Sequence, residues 1–387
     1  MRRYAHIIGW GKYAPENLLT NEDLSRIVDT SDEWIRTRTG IGTRHIAGEG
    51  ESTATMSINA ARSALEVANV TPDQLDLVIV GTSSPDYLTP ATACLVQNAL
   101  GAVHAGAFDL AAGCSGFVYG LSVASGLIEA GMYDTVLVIG AETISHAIDW
   151  SDRETCVLFG DGAGAVVLQT SESPGGVLAS VLGADGSGAE LLYVPAGGSR
   201  QPTSADTVAQ GLHYLRMNGR PVFRFAVNVM PKASRQVCER AGLSLDDIEL
   251  FIPHQANNRI LQAAARALQV PDERMFTNLA HYGNTSAASV PLALCEAIEA
   301  GLVKRGDHLV MVGFGAGLTW AAAVVQWSMP WPVPTRPRWR KPVRRLFYHW
   351  ASLRSWMLRT LRQLDARIRR LFKDEDGKRS HEEDSSK

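Results

Sequence analysis

The 387-residue chain reads as an α/β protein in which helices cover a mostly parallel sheet on both faces. Three observations predict this. Strand-like and helix-like stretches alternate from the start to about Trp327. The strand-like runs are continuously apolar, as in strands covered on both sides. Glycine is abundant, at 35 residues, as many strand-to-helix turns and close backbone approaches require.

The N-terminal MRRYAHIIGWGKYAP is basic, but its apolar stretch breaks at Gly9. It is expected to be the first strand rather than a signal peptide. Further strands are expected at LDLVIVGT (75–82), TVLVIGAE (135–142), GAVVLQ (164–169), IELFIPH (248–254), HLVMVGFG (308–315) and AAAVVQW (321–327). TATMSINAARSALEVAN (53–69) and NRILQAAARALQV (258–270) carry the apolar spacing of helices. LDLVIVGTSS recurs loosely as IELFIPHQAN. Each is an apolar strand ending in polar residues before a helix, which points to a weak internal duplication.

At Met329 the character changes. Residues 330–342, PWPVPTRPRWRKP, hold five prolines and four Lys/Arg, and a semi-rigid linker is expected over 329–342. In the segment that follows, apolar residues at 346, 350, 353, 357, 361, 364, 368 and 371 step by three or four. They form one stripe of a basic amphipathic helix expected over 343–373. Residues 374–387 are polar and are expected to be disordered. The net charge of −3 hides an asymmetry: residues 328–387 hold 16 Lys/Arg against 7 Asp/Glu, and the remainder holds 21 against 33. No apolar run is long enough to span a membrane. The five cysteines (94, 114, 156, 238, 295) show no C-x-x-C and no paired spacing, which argues against a disulfide framework or a zinc site and fits the cytoplasm.

Cys114 is the candidate nucleophile. In FDLAAGCSGFVYGL (108–121) a strand-like run leads through small residues into a helical pattern. A thiol at a helix N-terminus is expected to ionise more readily. His254 in FIPHQANNRI and Asn284 in HYGNTSAASVP complete a set that can take up an acyl group and stabilise the charge that follows. The other four cysteines are expected to be buried small hydrophobes. His281, close to Asn284, is expected to play no part. GDGAG (160–164) lacks the Lys-Ser/Thr of a phosphate loop and is expected to be a structural turn. Cys, His and Asn also make a papain-like protease site in this chain order, but there the nucleophile lies near the mature N-terminus in a different local signature.

Residues 1–327 resemble β-ketoacyl-acyl-carrier-protein synthase III, of the thiolase-like superfamily. The resemblance rests on VDTSDEWIRTRTGI (28–41), AGCSGF (112–117), LFGDGAGAVVL (158–168), PHQANNRI (253–260), GNTSAASVP (283–291) and FGAGLTW (314–320), in the family's order. It implies a duplicated, five-layered thiolase-like α/β fold with halves at 1–172 and 173–328, followed by the linker and basic helix. Thiolase itself is disfavoured, because FGAGL stands where that enzyme carries a second catalytic cysteine.

The resemblance also implies a reaction. Cys114 accepts an acyl group from acyl-CoA, malonyl on acyl carrier protein loses CO₂, and the carbanion attacks the acyl-enzyme. His254 and Asn284 would donate to the developing enolate oxygen, the N–H groups of Cys114 and the Gly315–Ala316 segment would serve the second oxygen, and Phe314 would wall the site. Alanine stands at 316 where many relatives have glycine, and it still supplies the N–H. Trp34, Arg38, Arg153 and Asn257 match coenzyme A contacts. Arg220 stands where some relatives carry an asparagine that contacts coenzyme A, and Arg220, Arg224, Arg259 and Arg266 match or flank docking positions for the acidic carrier protein. Thr89 stands where short-chain-specific relatives place a phenylalanine that reaches across the dimer, which implies a deeper acyl pocket. No cofactor or metal is implied, a homodimer is, and no nucleic acid is expected. The family does not account for the basic helix, for which an anionic membrane surface is the leading partner, ahead of packing on the synthase body or pairing with the same helix of the other protomer, and of recruiting the acidic carrier protein. The rival functional readings are a synthase-III-like enzyme of secondary metabolism and a non-catalytic scaffold that binds carrier protein.

Overall fold

The computed structural model describes residues 2–330 and, beyond them, residues 353, 354, 357, 358, 360, 361 and 364. The chain divides into two compact units, residues 1–97 with 102–334 and residues 98–101 with 335–387. In the second unit the described residues beyond 330 are all helical. The expected linker past Pro330, the rest of the expected helix over 343–373 and the expected tail over 374–387 lie outside the described residues.

The first unit carries two large sheets. Their strands are β1 (Tyr4–Tyr13), β2 (Leu77–Gly81), β3 (Gly106–Leu110), β4 (Thr135–Glu142), β5 (Gly162–Ser171), β6 (Gly176–Ala184), β7 (Leu250–Pro253), β8 (His308–Gly315) and β9 (Thr319–Gln326). The first sheet runs β1-β5-β4-β2-β3 and the second β7-β8-β9-β6. Each apolar run singled out in the sequence forms a strand within a few residues of its expected limits.

The sheets are mixed, which corrects the expectation of a mostly parallel sheet. β1 and β4 pair antiparallel with β5, and β8 and β6 pair antiparallel with β9. Parallel pairing is confined to β2 with β3 and β4, and to β7 with β8. The cause is visible at β8 and β9, which are joined by Ala316–Leu318. Three residues suffice for a hairpin and not for the crossover that parallel neighbours need.

The two sheets repeat one topology. β1, β5, β4 and β2 of the first correspond in order and direction to β6, β9, β8 and β7 of the second. The sequence repeat LDLVIVG/IELFIPH thus falls on equivalent strands, β2 and β7. An isolated parallel bridge between Phe251 and Met275 stands where a counterpart of β3 belongs.

Helices complete the layers. The principal ones are α1 (Asp32–Thr39), α2 (Thr53–Ala68), α3 (Gly116–Glu129), α4 (Gly219–Ala241), α5 (Asn258–Leu268) and α6 (Ser289–Glu299). α2 packs on β1 and β5. Ser52 starts it with a capping box to Thr55, and Asn69 ends it with a φ of 59°. α3 and α6 touch strands of both sheets and form the central layer. α4 and α5 pack together against the second sheet. One continuous core joins Ile79 and Val138 of the first sheet, Phe117 and Leu121 of α3, Val290 and Leu294 of α6, and Ile252 and Met311 of the second sheet. Burying large apolar side chains from all three layers, each worth about 1.5–3 kcal/mol, locks the halves together. The result brings the C-terminal ends of β3, β4, β7 and β8 to one place, the common position for sites in parallel α/β sheets.

Candidate active site

Cys114 lies in a 3₁₀ turn, Gly113–Ser115, between β3 and α3, as the sequence predicts. Gly113 has a φ of +55°, and a β-carbon there would lie 2.6 Å from Ala316 N. A β-carbon on Gly315 would strike Cys114 N and sit 3.0 Å from its Cβ. Glycine at both positions lets the end of β8 press directly on the nucleophile's turn, so Cys114 and Ala316 bring their backbones side by side. Ser115 fastens the same turn, with its Oγ donating to Ala112 O at 2.7 Å and lying 2.8 Å from Thr319 Oγ1.

His254 follows β7 directly, and its backbone N–H donates to Val312 O at 2.7 Å. Its Nδ1 lies 2.6 Å from Ser289 Oγ at the start of α6. With that hydroxyl donating, the proton of the neutral imidazole resides on Nε2, which is then a donor. Burial pushes the His254 pKa down to about 3, so the ring is neutral at working pH. Phe314 stands edge-on to it, ring centroids 5.2 Å apart.

Asn284 is pinned between Leu158 and Gly160. Its N–H donates to Leu158 O at 2.9 Å and its carbonyl accepts from Gly160 N at 3.0 Å. Its Oδ1 accepts from Ser286 N at 2.9 Å, which turns the amide nitrogen outward as the free donor.

Cys114, His254, Asn284, Asn257, Phe314 and Gly315 line one cavity of about 150 Å³. Leu192, Met217, Val222 and Phe223 wall it. Three segments far apart in sequence thus bring a thiol, an imidazole and a carboxamide to one cavity with apolar walls. This set can form and break a thioester while stabilising a developing oxyanion.

The resting sulfur differs from expectation. Burial, reinforced by the nearby Glu142 carboxyl and opposed by a hydrogen bond from Ser286, pushes the Cys114 thiol up to about 12. Burial thus opposes the helix N-terminus, and a protonated sulfur must lose its proton during the reaction.

Trp34 is half-buried on α1. The Arg153 and Arg38 guanidinium carbons lie 4.9 Å and 5.7 Å from its ring centroid. It packs on the cluster of Leu192, Val222 and Met217 that also walls the cavity. Arg153 is anchored to Asp29 O at 2.8 Å. Asn257 caps α5, with its Oδ1 accepting from Arg259 N at 2.9 Å. Arg220 and Arg224 on α4 and Arg259 and Arg266 on α5 are all exposed, and the first turns of both helices line the cavity.

Other expectations divide. Cys156, Cys238 and Cys295 are buried, but Cys94 is exposed, which corrects its assignment to the core. It falls near the N-terminal end of helix Thr92–Leu100 on the face turned to solvent. His281 is exposed. GDGAG is structural: Asp161 is buried and accepts from Ser145 Oγ at 2.6 Å and Ala47 N at 2.8 Å. Thr89 is exposed and does not line the cavity of its own chain.

Sequence reasoning missed three buried residues that the site uses. Ser289 contacts the His254 ring, while Ser286 reaches the sulfur and Glu142 reaches Ser286. The signals were available: two serines inside the GNTSAAS segment, and a carboxylate closing the apolar run VLVIGA.

Models of the 3-oxoacyl-[acyl-carrier-protein] synthase III family match residues 108–186 and, for its C-terminal part, residues 238–327. A beta-ketoacyl-[acyl-carrier-protein] synthase III of Caldanaerobacter subterraneus subsp. tengcongensis is 55% identical over 324 residues, covering 84% of this chain and 98% of that protein. The crystal structure of 3-oxoacyl-[acyl-carrier-protein] synthase III from Aquifex aeolicus VF5 is 50% identical with a TM-score of 0.78, over 84% of this chain and all of that one. The priming β-ketosynthase of the R1128 polyketide pathway is 39% identical with a TM-score of 0.79, over 85% of this chain and 98% of that one.

Proposed function

The chain belongs to the 3-oxoacyl-[acyl-carrier-protein] synthase III family, and from that membership we propose a role for each residue of its site. The protein is an acyltransferase-type condensing enzyme of the thiolase-like fold. It joins an acyl-CoA primer to malonyl-acyl carrier protein with loss of CO₂, giving the 3-oxoacyl-acyl carrier protein that starts fatty acid synthesis. The observation that carries the residue roles is the convergence of Cys114, His254 and Asn284 on one buried cavity.

Cys114 attacks the acyl-CoA thioester and holds the acyl group. Its backbone N–H and that of Ala316 receive the oxyanion. Malonyl thioester then enters, and the Nε2–H of His254 and the amide N–H of Asn284 stabilise the enolate oxygen as CO₂ departs. Phe314 keeps that end dry, which strengthens both hydrogen bonds. Trp34, flanked by two guanidinium groups, offers a stacking face and positive charge to the adenine end of coenzyme A, and Asn257 meets the pantetheine arm inside the cavity. The exposed arginines 220, 224, 259 and 266, on the two helices whose first turns line the cavity, steer the acidic carrier protein. Substrates supply all the chemistry, so no cofactor is required.

The active species is a homodimer. β3 is an edge strand of the first sheet, and Phe108 on it, with nearby Val103, Tyr87 and Leu88, is exposed and apolar. An unpaired edge with apolar flanks suits continuation of the sheet into a second copy. Thr89 lies in the same exposed stretch, and in such a dimer it would face the partner's acyl pocket. The basic C-terminal helix anchors the enzyme to the inner face of an anionic membrane. Leu353, Met357, Leu361 and Leu364 of its apolar stripe are helical and exposed, and arginines crowd the segment. No helix among the described residues is long and apolar enough to cross a membrane.

Three outcomes follow. His254→Ala and Asn284→Ala should still acquire the acyl group while condensation falls by at least ~100-fold, the usual loss for an oxyanion donor. Intact mass and product assays check this, and a variant condensing near the wild-type rate has no part in decarboxylation. The enzyme should accept dodecanoyl-CoA as well as acetyl-CoA, and Thr89→Phe should restrict it to short chains. A strict acetyl preference unchanged in Thr89→Phe, judged by kcat/KM, would remove the residue from chain-length control. Full-length protein should co-sediment with anionic liposomes at low salt and not with neutral ones, and a 1–329 truncation should not. Equal sedimentation of the two proteins would sink the membrane reading.

A further inference from the structure

Two buried residues outside that division of labour lead away from the reacting sulfur, Ser286 in contact with it and Glu142 behind Ser286. Ser286 Oγ lies 3.3 Å from Cys114 Sγ and 3.0 Å from Glu142 Oε1. A serine hydroxyl carries one proton. When it donates to the Glu142 carboxylate, the Cys114 S–H can donate to it. When it donates to Sγ, a protonated Glu142 can donate to it. The same three side chains therefore hold two proton arrangements, a thiol with a carboxylate or a thiolate with a carboxylic acid.

The thiol proton needs an acceptor, because burial holds Cys114 protonated at rest. His254 is poorly placed for that task. Its Nδ1 is engaged by Ser289 Oγ, and with that hydroxyl donating its Nε2 carries the proton required at the oxyanion. Ser286 and Glu142 are held in position from several sides. Ser286 adopts a φ of +50°, unusual for a residue with a β-carbon, and its N–H is fixed on Asn284 Oδ1. Glu142 ends β4 fully buried and accepts from Ser84 Oγ at 2.5 Å, Ser83 N at 3.1 Å and Thr82 Oγ1 at 3.3 Å. The groups that face its carboxyl, from the segment after β2 and from the Ser286–Ala288 turn, are neutral hydroxyls and backbone N–H groups. The titratable neighbour its charge reaches is Cys114.

We propose that Ser286 and Glu142 form the proton relay for acylation of Cys114, with Ser286 acting on the sulfur and Glu142 storing the proton behind it. The inference rests on Cys114 being the nucleophile. As the acyl-CoA carbonyl approaches, the thiol proton passes to Ser286 Oγ while the hydroxyl proton passes to Glu142 Oε1. The sulfur forms the new C–S bond. The bond from the carbonyl carbon to the CoA sulfur breaks, and the electron pair leaves with that sulfur. The relay then runs in reverse and delivers the proton to the departing CoA thiolate, returning Glu142 to the carboxylate. One negative charge is present throughout, so the dry site never holds a thiolate beside a carboxylate. Burial raises the Glu142 pKa as it does that of Cys114, which suits a group that must hold a proton for part of the cycle.

The test is single-turnover acylation by acyl-CoA, followed by intact mass, on full-length wild type, Ser286→Ala, Glu142→Gln and Cys114→Ala. Malonyl-acyl carrier protein decarboxylation is measured in parallel, and acylation is repeated from about pH 6 to 9. Ser286→Ala and Glu142→Gln should acylate roughly 100-fold more slowly at neutral pH, the scale of lost acid–base assistance. That loss should exceed their loss in decarboxylation by at least ~10-fold, since a merely structural fault harms both steps. Their residual rate should climb with pH, because solvent must now ionise a thiol whose pKa is about 12. The wild-type rate should be flatter. Acylation within ~3-fold of wild type, equal loss in both half-reactions, or a residual rate flat in pH would each overturn the relay. If Glu142→Gln fails to fold by circular dichroism, Ser286→Ala decides alone. An adduct on Cys114→Ala would overturn the nucleophile itself. No adduct there, with Ser286→Ala at full speed, overturns the relay only.

Discussion

The whole site depends on one close backbone approach. The end of β8 lies against the turn that carries Cys114, so near that a β-carbon on Gly315 would collide with the Cys114 backbone. These two segments belong to opposite halves of a duplicated fold, and 199 residues of chain separate the Cys114 turn from Gly313 at the near end of the contact. Packing of α3 and α6 between two sheets brings them together. The Cys114 turn then lies against the Gly315–Ala316 backbone, while β7 and the Asn284 loop bring His254 and Asn284 to the same cavity. Loosening this contact by a fraction of an ångström would misplace donors whose value depends on geometry.

Burial sets the electrostatics. A site this dry keeps His254 neutral and Cys114 protonated, so neither side chain rests in the charged form that textual motifs alone would favour. A neutral imidazole with its Nδ1 occupied is a fixed hydrogen-bond donor, which suits enolate stabilisation better than proton abstraction. The cost of burial then falls on the nucleophile, whose proton needs a route out. The only carboxyl that reaches the sulfur among the described residues is Glu142, through Ser286.

Much of this was legible in the chain. Continuous apolar runs marked the strands, because burial on both faces removes alternation. The LDLVIVG/IELFIPH echo marked equivalent strands of two halves. Strand direction was not legible: a run such as AAAVVQW carries no sign of its partner's orientation, and only the three-residue link from β8 forces the hairpin. Cys114, His254 and Asn284 could be named because their segments resemble a known family. Cys94 was misplaced because a cysteine in an apolar stretch reads as core, while its exposure depends on which face of a short helix meets solvent. Ser286, Ser289 and Glu142 were hidden for a related reason. Small polar residues and a single carboxylate gain meaning only when folding sets the two serines within 3.3 Å of a sulfur or an imidazole and the carboxylate 3.0 Å behind Ser286.

The most direct test is where the acyl group lands. The chain offers an exposed competitor, Cys94, and four buried thiols, of which Cys114 alone lines the cavity. Peptide mapping of full-length protein after a brief exposure to acyl-CoA should place the acyl thioester on the peptide bearing Cys114 and on no other. Label on Cys94, or on any cysteine outside the cavity at comparable occupancy, would contradict the account.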